Sequence, residues 1–292
     1  MKKVITTERI PIKMWLDDID AAALGQAKNL ANLPFAYEWI AVMPDCHTGF
    51  GMPIGGVLAA QDVIVPNAVG VDIGCGMLAA RTDLVEITSA ALREILAGIK
   101  LEIPVGFKHN LTNQPWDGFD RAPDIAIIQQ ELSSARRQLG TLGGGNHFIE
   151  IQWGSDGLIW LMIHSGSRNF GLQTATFFHK KALASCDKSR NKLPDRDLSY
   201  LSMDTRDGRD YFEAMRFCCD FARANPAPNP FPIFYCIPNC SQHQHPCPLA
   251  NPEHHADGNG HADLRHPARG GARAGQLPLR AGISVSVQVW SL

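Results

Sequence analysis

Four short segments of this chain set metal-type ligands among glycines, and no other feature constrains the fold as much. Met43 to Gly49 holds Asp45, Cys46 and His47. Val69 to Met77 holds Asp72 and Cys75 among Gly70, Gly74 and Gly76. Leu142 to Phe148 runs through Gly143, Gly144 and Gly145 into Asn146 and His147. His164 to Arg168 sets Ser165 and Ser167 around Gly166. Glycine lets backbone approach a ligand closely and take positive φ. Apolar runs lead into three of the four segments, so their polar groups are expected where strands leave a rigid core.

The rest of the first 224 residues alternates strand and helix patterns. Asp17 to Leu33 has helical spacing through Ala21, Leu24, Ala27, Leu30 and Leu33. Trp39 to Met43 reads as a buried strand ending at Pro44, and Ile54 to Ala60 as another. Val63 to Met77 reads as strand and tight loop rather than helix. Thr88 or Ser89 caps a helix running to Lys100 or so, and Asp124 to Leu139 forms a second. His147 to Trp153 and Leu158 to His164 are strands joined by a turn at 154–157. Phe170 to Ala184 and Tyr211 to Ala224 are helices. The expectation is an α+β fold, a mixed-sheet core with surrounding helices, over residues 1–224.

Composition agrees with a real core, since 45% of residues are hydrophobic and 19% charged. The net charge of -2 announces no nucleic acid, so any basic groove must be local. No apolar run is long enough for a membrane span. The start carries no signal-peptide pattern, and the first five of eight cysteines lack framework spacing. A cytoplasmic, reducing setting is expected, where a special cysteine is more often ligand or nucleophile than half of a disulfide.

Taken alone, Asp72 and Cys75 with nearby imidazoles suit zinc, manganese or iron. A dication would keep the Cys75 thiol deprotonated, and a thiolate can bridge two cations. A single buried cysteine is more often a small hydrophobe, and a lone histidine after a strand is more often structural. Four coincident segments favour a site.

Those segments resemble, in order and spacing, the RtcB family of tRNA-splicing and RNA-repair ligases, which depend on GTP and manganese. The resemblance rests on Asp45 and His47, on Gly70 to Met77, on Gly143 to Glu150, and on His164 to Arg168. It covers about Thr6 to Ala224, roughly three-quarters of the chain. It implies joining of an RNA 3′-phosphate or 2′,3′-cyclic phosphate end to a 5′-hydroxyl end, through a guanylylated histidine. By the same resemblance Cys75 bridges two manganese ions, with Asp72 beside it and His147 and His164 binding one ion each. Asn146 then touches the nucleotide phosphate, and Ser165, Ser167 and Arg168 hold phosphate of RNA or GTP. Asp45 and His47 either orient a ligand or close a polar turn, and both readings stay open.

The pattern changes at residue 225. Ten of nineteen prolines and six of eleven histidines fall in 225–292. Pro226, Pro228, Pro230 and Pro232 exclude helix and central strand there. The resemblance implies two further parts, a histidine ligand in an Asn-x-His-His-Asn-type segment and the guanylylated histidine in a Ser-His-Gly-Ala-Gly-Arg segment. Neither segment occurs in this sequence. The expectation is an irregular tail, out of frame or disordered, and a chain inactive for want of its nucleophile. Its alternative is a non-catalytic manganese- and nucleotide-binding remnant. A zinc module on Cys236, Cys240, His243, His245 and Cys247 is the rival reading of the tail. Gly282 to Val289 alternates like a strand but shows no evident partner.

Overall fold

The computed structural model describes residues 1–189 and 193–226 and the backbone of two later strands, 243–244 and 285–287. Its strands are β1 (Lys3–Ile5), β2 (Ile12–Met14), β3 (Ala36–His47), β4 (Ile54–Ala60), β5 (Val63–Ile64), β6 (Gly76–Arg81), β7 (Phe148–Trp153), β8 (Ile159–Ser165), β9 (Leu201–Ser202), β10 (His243–Gln244) and β11 (Val285–Val287). Its helices are α1 (Ala21–Ala31), α2 (Pro66–Val69), α3 (Ser89–Glu102), α4 (Ala126–Gln138), α5 (Arg168–Ser189) and α6 (Arg206–Ala224). This is the α+β fold with a mixed sheet that the sequence predicts. Among the described residues no helix is long and apolar enough to cross a membrane.

The chain divides into two compact units. The first comprises Met1–Gly74, Leu111–Leu139 and Gly166–Ala224. Its sheet has the order β1-β2-β3-β4. β2 and β3 are parallel, so the chain must cross over between them, and α1 is that crossover. Asp20 caps α1 by accepting from the Ala23 amide. Ala23, Ala27 and Leu30 lie on the buried side of α1, and Ala27 and Leu30 share a core with Ile12, Met14, Ile40 and Val42.

β3 outruns the expected strand and continues through Pro44 to His47. The β3–β4 register shifts between Val42 and His47, so Pro44 falls where the ladder is irregular. One expectation is corrected here. The stretch after β5 contains a single helical turn, α2, started by Pro66, whose fixed φ suits a first helical position. The remaining core of this unit is largely aromatic, with Phe170 and Phe178 of α5 and Tyr211, Phe217 and Phe221 of α6 gathered with Phe119, Ile73 and, from α4, Ile127 and Ile128.

The second unit comprises Cys75–Asn110, Gly140–Ser165 and the described residues from Asn225 onward. Its sheet has the order β10-β6-β8-β7-β11. β7 and β8 form a hairpin closed by hydrogen bonds from Gly154 to Leu158 and from Gly157 to Gly154. Burial along β8 alternates strictly from Ile159 to Ser165. Ile159, Leu161 and Ile163 face a core completed by Ile149, Ile151, Ala80 and, from α3, Ile95 and Ile99. Trp160, Met162 and His164 therefore project from the opposite face. Thr88 caps α3 as expected, by accepting from the Ala91 amide.

The alternating segment near the end has a partner after all. Val285–Val287 pairs antiparallel with Ile149–Ile151 of β7, placing β11 at the sheet edge. The proline-alternating stretch beyond Pro226 and the proposed zinc cluster at 236–247, except the backbone of 243–244, lie outside the described residues.

The two faces of β8 predict unequal mutational costs. Leu161→Ala should destabilise by about 2–5 kcal/mol, because Leu161 is fully buried, whereas Met162→Ala on the open face should cost about 1 kcal/mol or less. Urea unfolding of the two variants checks this, and equal midpoints would refute the assigned faces.

Candidate metal centre

Three potential ligands meet at one end of the second unit's sheet. Cys75 immediately precedes β6, His147 immediately precedes β7, and His164 is the penultimate residue of β8. β8 runs antiparallel to both neighbours, so its final residues lie beside the first residues of β6 and β7. The register makes this specific: Met77 and Phe148 both pair with His164. Cys75 Sγ lies 2.8 Å from His164 Nε2 and 3.6 Å from His147 Nε2. One ligand atom from each of the three residues falls within 4.8 Å of the others. His147 is buried, His164 is half-buried, and Cys75 is exposed.

The surroundings fix these side chains. His164 Nδ1 lies 2.9 Å from the carbonyl oxygen of Asn146. A carbonyl oxygen can only accept a hydrogen bond, so Nδ1–H donates, and the Nε2 lone pair is left for the side of Cys75. Phe148 stacks edge-on to His164, with ring centroids 5.5 Å apart. Gly145 has φ of 67°, a conformation costly for other residues, and it turns the chain back into Asn146 and His147.

Sequence reasoning overlooked Asn225. It is fully buried, and its side chain bonds to both the Gly-rich loop and β8. Nδ2 donates to Thr141 O at 3.1 Å and to Ser165 Oγ at 2.8 Å, and Oδ1 accepts from Gly140 N at 2.8 Å. It thus ties the start of the Gly-rich loop to the end of β8. No local pattern flags it, because it stands at the first position of the proline-rich stretch. Phe148 was also passed over, although it directly follows His147.

The other expected site residues distribute as follows. Asn146 contributes its backbone carbonyl to His164, and Ser165 is buried against Asn225. Asp72, Ser167 and Arg168 belong to the first unit. There the Asp72 carboxylate lies against Gly166, where a Cβ would come within 2.4 Å of Oδ1. Arg168 opens α5 with φ of 60°. Burial pushes its guanidinium down to about 10, with the Asp72 charge acting in the opposite sense, so it stays charged at neutral pH. Ser167 is fully buried, and its Oγ has no hydrogen-bond partner among the described residues. Asp45 and His47 lie at the end of β3 in the first unit, where the His47 ring nitrogen bonds the Asp45 carbonyl at 3.0 Å.

The family model described as tRNA-splicing ligase RtcB matches residues 26–227. The chain belongs to the RtcB family. RNA-splicing ligases RtcB1 and RtcB from two strains of Escherichia coli are each 37% identical to it over 246 residues, 76% of this chain and 60% of theirs. The tRNA-splicing ligase RtcB of Pyrobaculum aerophilum is 31% identical over 275 residues, covering 75% of this chain and 57% of its own. The alignments thus span about three-fifths of the length of these RtcB relatives. All three converging ligands, and Asn225 with them, fall inside the RtcB match.

Asn225→Ala should destabilise the second unit by about 3 kcal/mol, because it strands buried partners in Gly140, Thr141 and Ser165. Amide hydrogen exchange should rise at 140–147. Unchanged protection there would show that Asn225 holds nothing in place.

Proposed function

We propose that this chain is the metal-binding part of an RNA ligase that joins 3′-phosphate or 2′,3′-cyclic phosphate ends to 5′-hydroxyl ends, with GTP as nucleotide and manganese as metal. The observation that carries the reading is the convergence of one thiol and two imidazoles on a single point. That donor set fits a divalent transition metal, and the choice of manganese among such metals rests on the family resemblance. Cys75, His147 and His164 would hold the ion, and Asp72 enters on the sequence pattern alone. When bound, such an ion draws negative charge from phosphate oxygens and orients the groups that exchange.

The protein's own groups have defined tasks in this reading. The Asn146 carbonyl keeps His164 in the tautomer that presents Nε2. His147 is buried and Cys75 exposed, so the site would shelter an ion on one side and leave it reachable on the other. Arg168, charged at neutral pH, supplies a guanidinium whose fork geometry suits phosphate. The nucleophile is another matter. The sequence has no Ser-His-Gly-Ala-Gly-Arg segment, so this chain on its own binds metal and nucleotide without forming a guanylyl adduct. The proposal includes RNA ends, tRNA among them, as partners and the cytoplasm as the compartment.

Manganese titration of the purified chain should show saturable binding that Cys75→Ala weakens by at least about tenfold. Bound manganese should also protect Cys75 from iodoacetamide. Cys218, whose thiol burial pushes up to about 12, should stay unreactive with or without metal at neutral pH. Equal metal binding by wild type and Cys75→Ala would reject the site. Incubation with labelled GTP should leave no protein–GMP adduct, and a stable adduct would overturn the inactivity.

A further inference from the structure

A cavity of 280 Å³ opens in the first unit between α6 and the turn at Asp117–Arg121. Phe212, Arg216 and Asp220 line it from successive turns of α6, with Glu213 beside them. Trp116 and Arg121 face them from the turn. Trp116 is held rigidly: it lies edge-on to Phe119 at 5.0 Å and covers Gly118, where a Cβ would fall 2.1 Å from the indole. Phe212 is 41% exposed, which is unusual for a phenylalanine on a helix that otherwise buries its aromatics.

The charges of this cavity are not spent on one another. The guanidinium groups of Arg121 and Arg216 make no ion pair or hydrogen bond among the described residues, although Glu213 and Asp220 line the same space. Asp220 pairs instead with Arg223, outside the cavity, at 3.8 Å. Two guanidiniums, two carboxylates and an aromatic wall in one small space match a ligand with a flat ring, N–H donors and an anionic group. An apolar molecule would leave Arg121, Arg216 and Glu213 unanswered, with Asp220 held only by Arg223 at 3.8 Å.

We propose that this cavity receives one unpaired nucleotide of an RNA strand, with its base against Phe212 and its flanking phosphates on Arg121 and Arg216. The inference rests on the reading above that the protein handles RNA. Stacking on an aromatic ring is available to any base. The carboxylates add selectivity: they accept hydrogen bonds, so they welcome the exocyclic amino groups of adenine, cytosine and guanine. Uracil offers a single N–H flanked by two carbonyls, which the carboxylates repel. The volume lies near the small end for ligand sites, which suits one base rather than a stack.

Fluorescence anisotropy with labelled oligoadenylate and oligouridylate of equal length, both with hydroxyl ends and in EDTA, tests this without the metal site. Oligoadenylate should bind more tightly. Arg121→Ala/Arg216→Ala should weaken it about tenfold and flatten the salt dependence by about 1.4 log units per log unit, two phosphates' worth for a single strand. Phe212→Ala should cost about tenfold. Glu213→Gln, which keeps shape and removes the charge, should narrow the preference for adenine over uracil. Wild-type affinity and salt slope in the double arginine variant would overturn the proposal, as would equal binding of the two oligomers. Manganese uptake is measured on separate, EDTA-free aliquots of the same protein preparations. Oligoadenylate binding without manganese uptake would sink the metal reading alone, and manganese uptake without oligomer binding would sink this site alone.

Discussion

The antiparallel pairing of β8 with β6 on one side and β7 on the other is the constraint on which the candidate centre depends. Cys75 and His147 are 72 residues apart in sequence, and neither belongs to a strand. They meet because each stands one residue before a strand that begins beside the end of β8. The hydrogen bonds of the ladder hold that alignment, and Ile163, Leu161 and Ile149 hold the ladder by their burial. The candidate ligands and the apolar packing thus depend on one and the same sheet. A one-residue slip would send His164 into the core and Ile163 to the surface, so the core's demand for Ile163 also protects the site.

The second contribution comes from irregular backbone. Gly145 adopts positive φ just before Asn146 and His147, and Gly74 does the same just before Cys75. In both places the chain turns sharply out of a loop and delivers a ligand at the mouth of a strand. The Asn146 carbonyl then has a defined direction, and it selects the proton position on His164. A short apolar strand with a glycine turn ahead of it is enough to set both the place and the protonation of a ligand.

Much of this was legible in the sequence for reasons that can be named. The apolar run from Leu158 to His164 behind the turn at 154–157 announced β8, and Thr88 announced the start of α3. Cys75, His147 and His164 stood out because glycine and apolar runs framed them. Other features were not legible because they depend on partners distant in sequence. The α2 turn rests on Pro66 at its start, which resembles a loop signal when read alone. The extension of β3 through Pro44 needed the bulge against β4. The pairing of Val285–Val287 could not be seen without β7 as its template. Asn225 gave no local sign, because its bonds to Gly140, Thr141 and Ser165 reach residues 60 to 85 positions away.

Asn225 carries a practical consequence for anyone dividing this protein. Helix α6 ends at Ala224, and a secondary-structure diagram would recommend that point as a clean place to cut. The very next side chain is the clasp that fastens the Gly-rich loop to β8. A fragment trimmed to the helix would keep every candidate ligand and lose the fastening that sets them in order. Its metal affinity would then report a loosened loop rather than the chemistry of the ligands themselves.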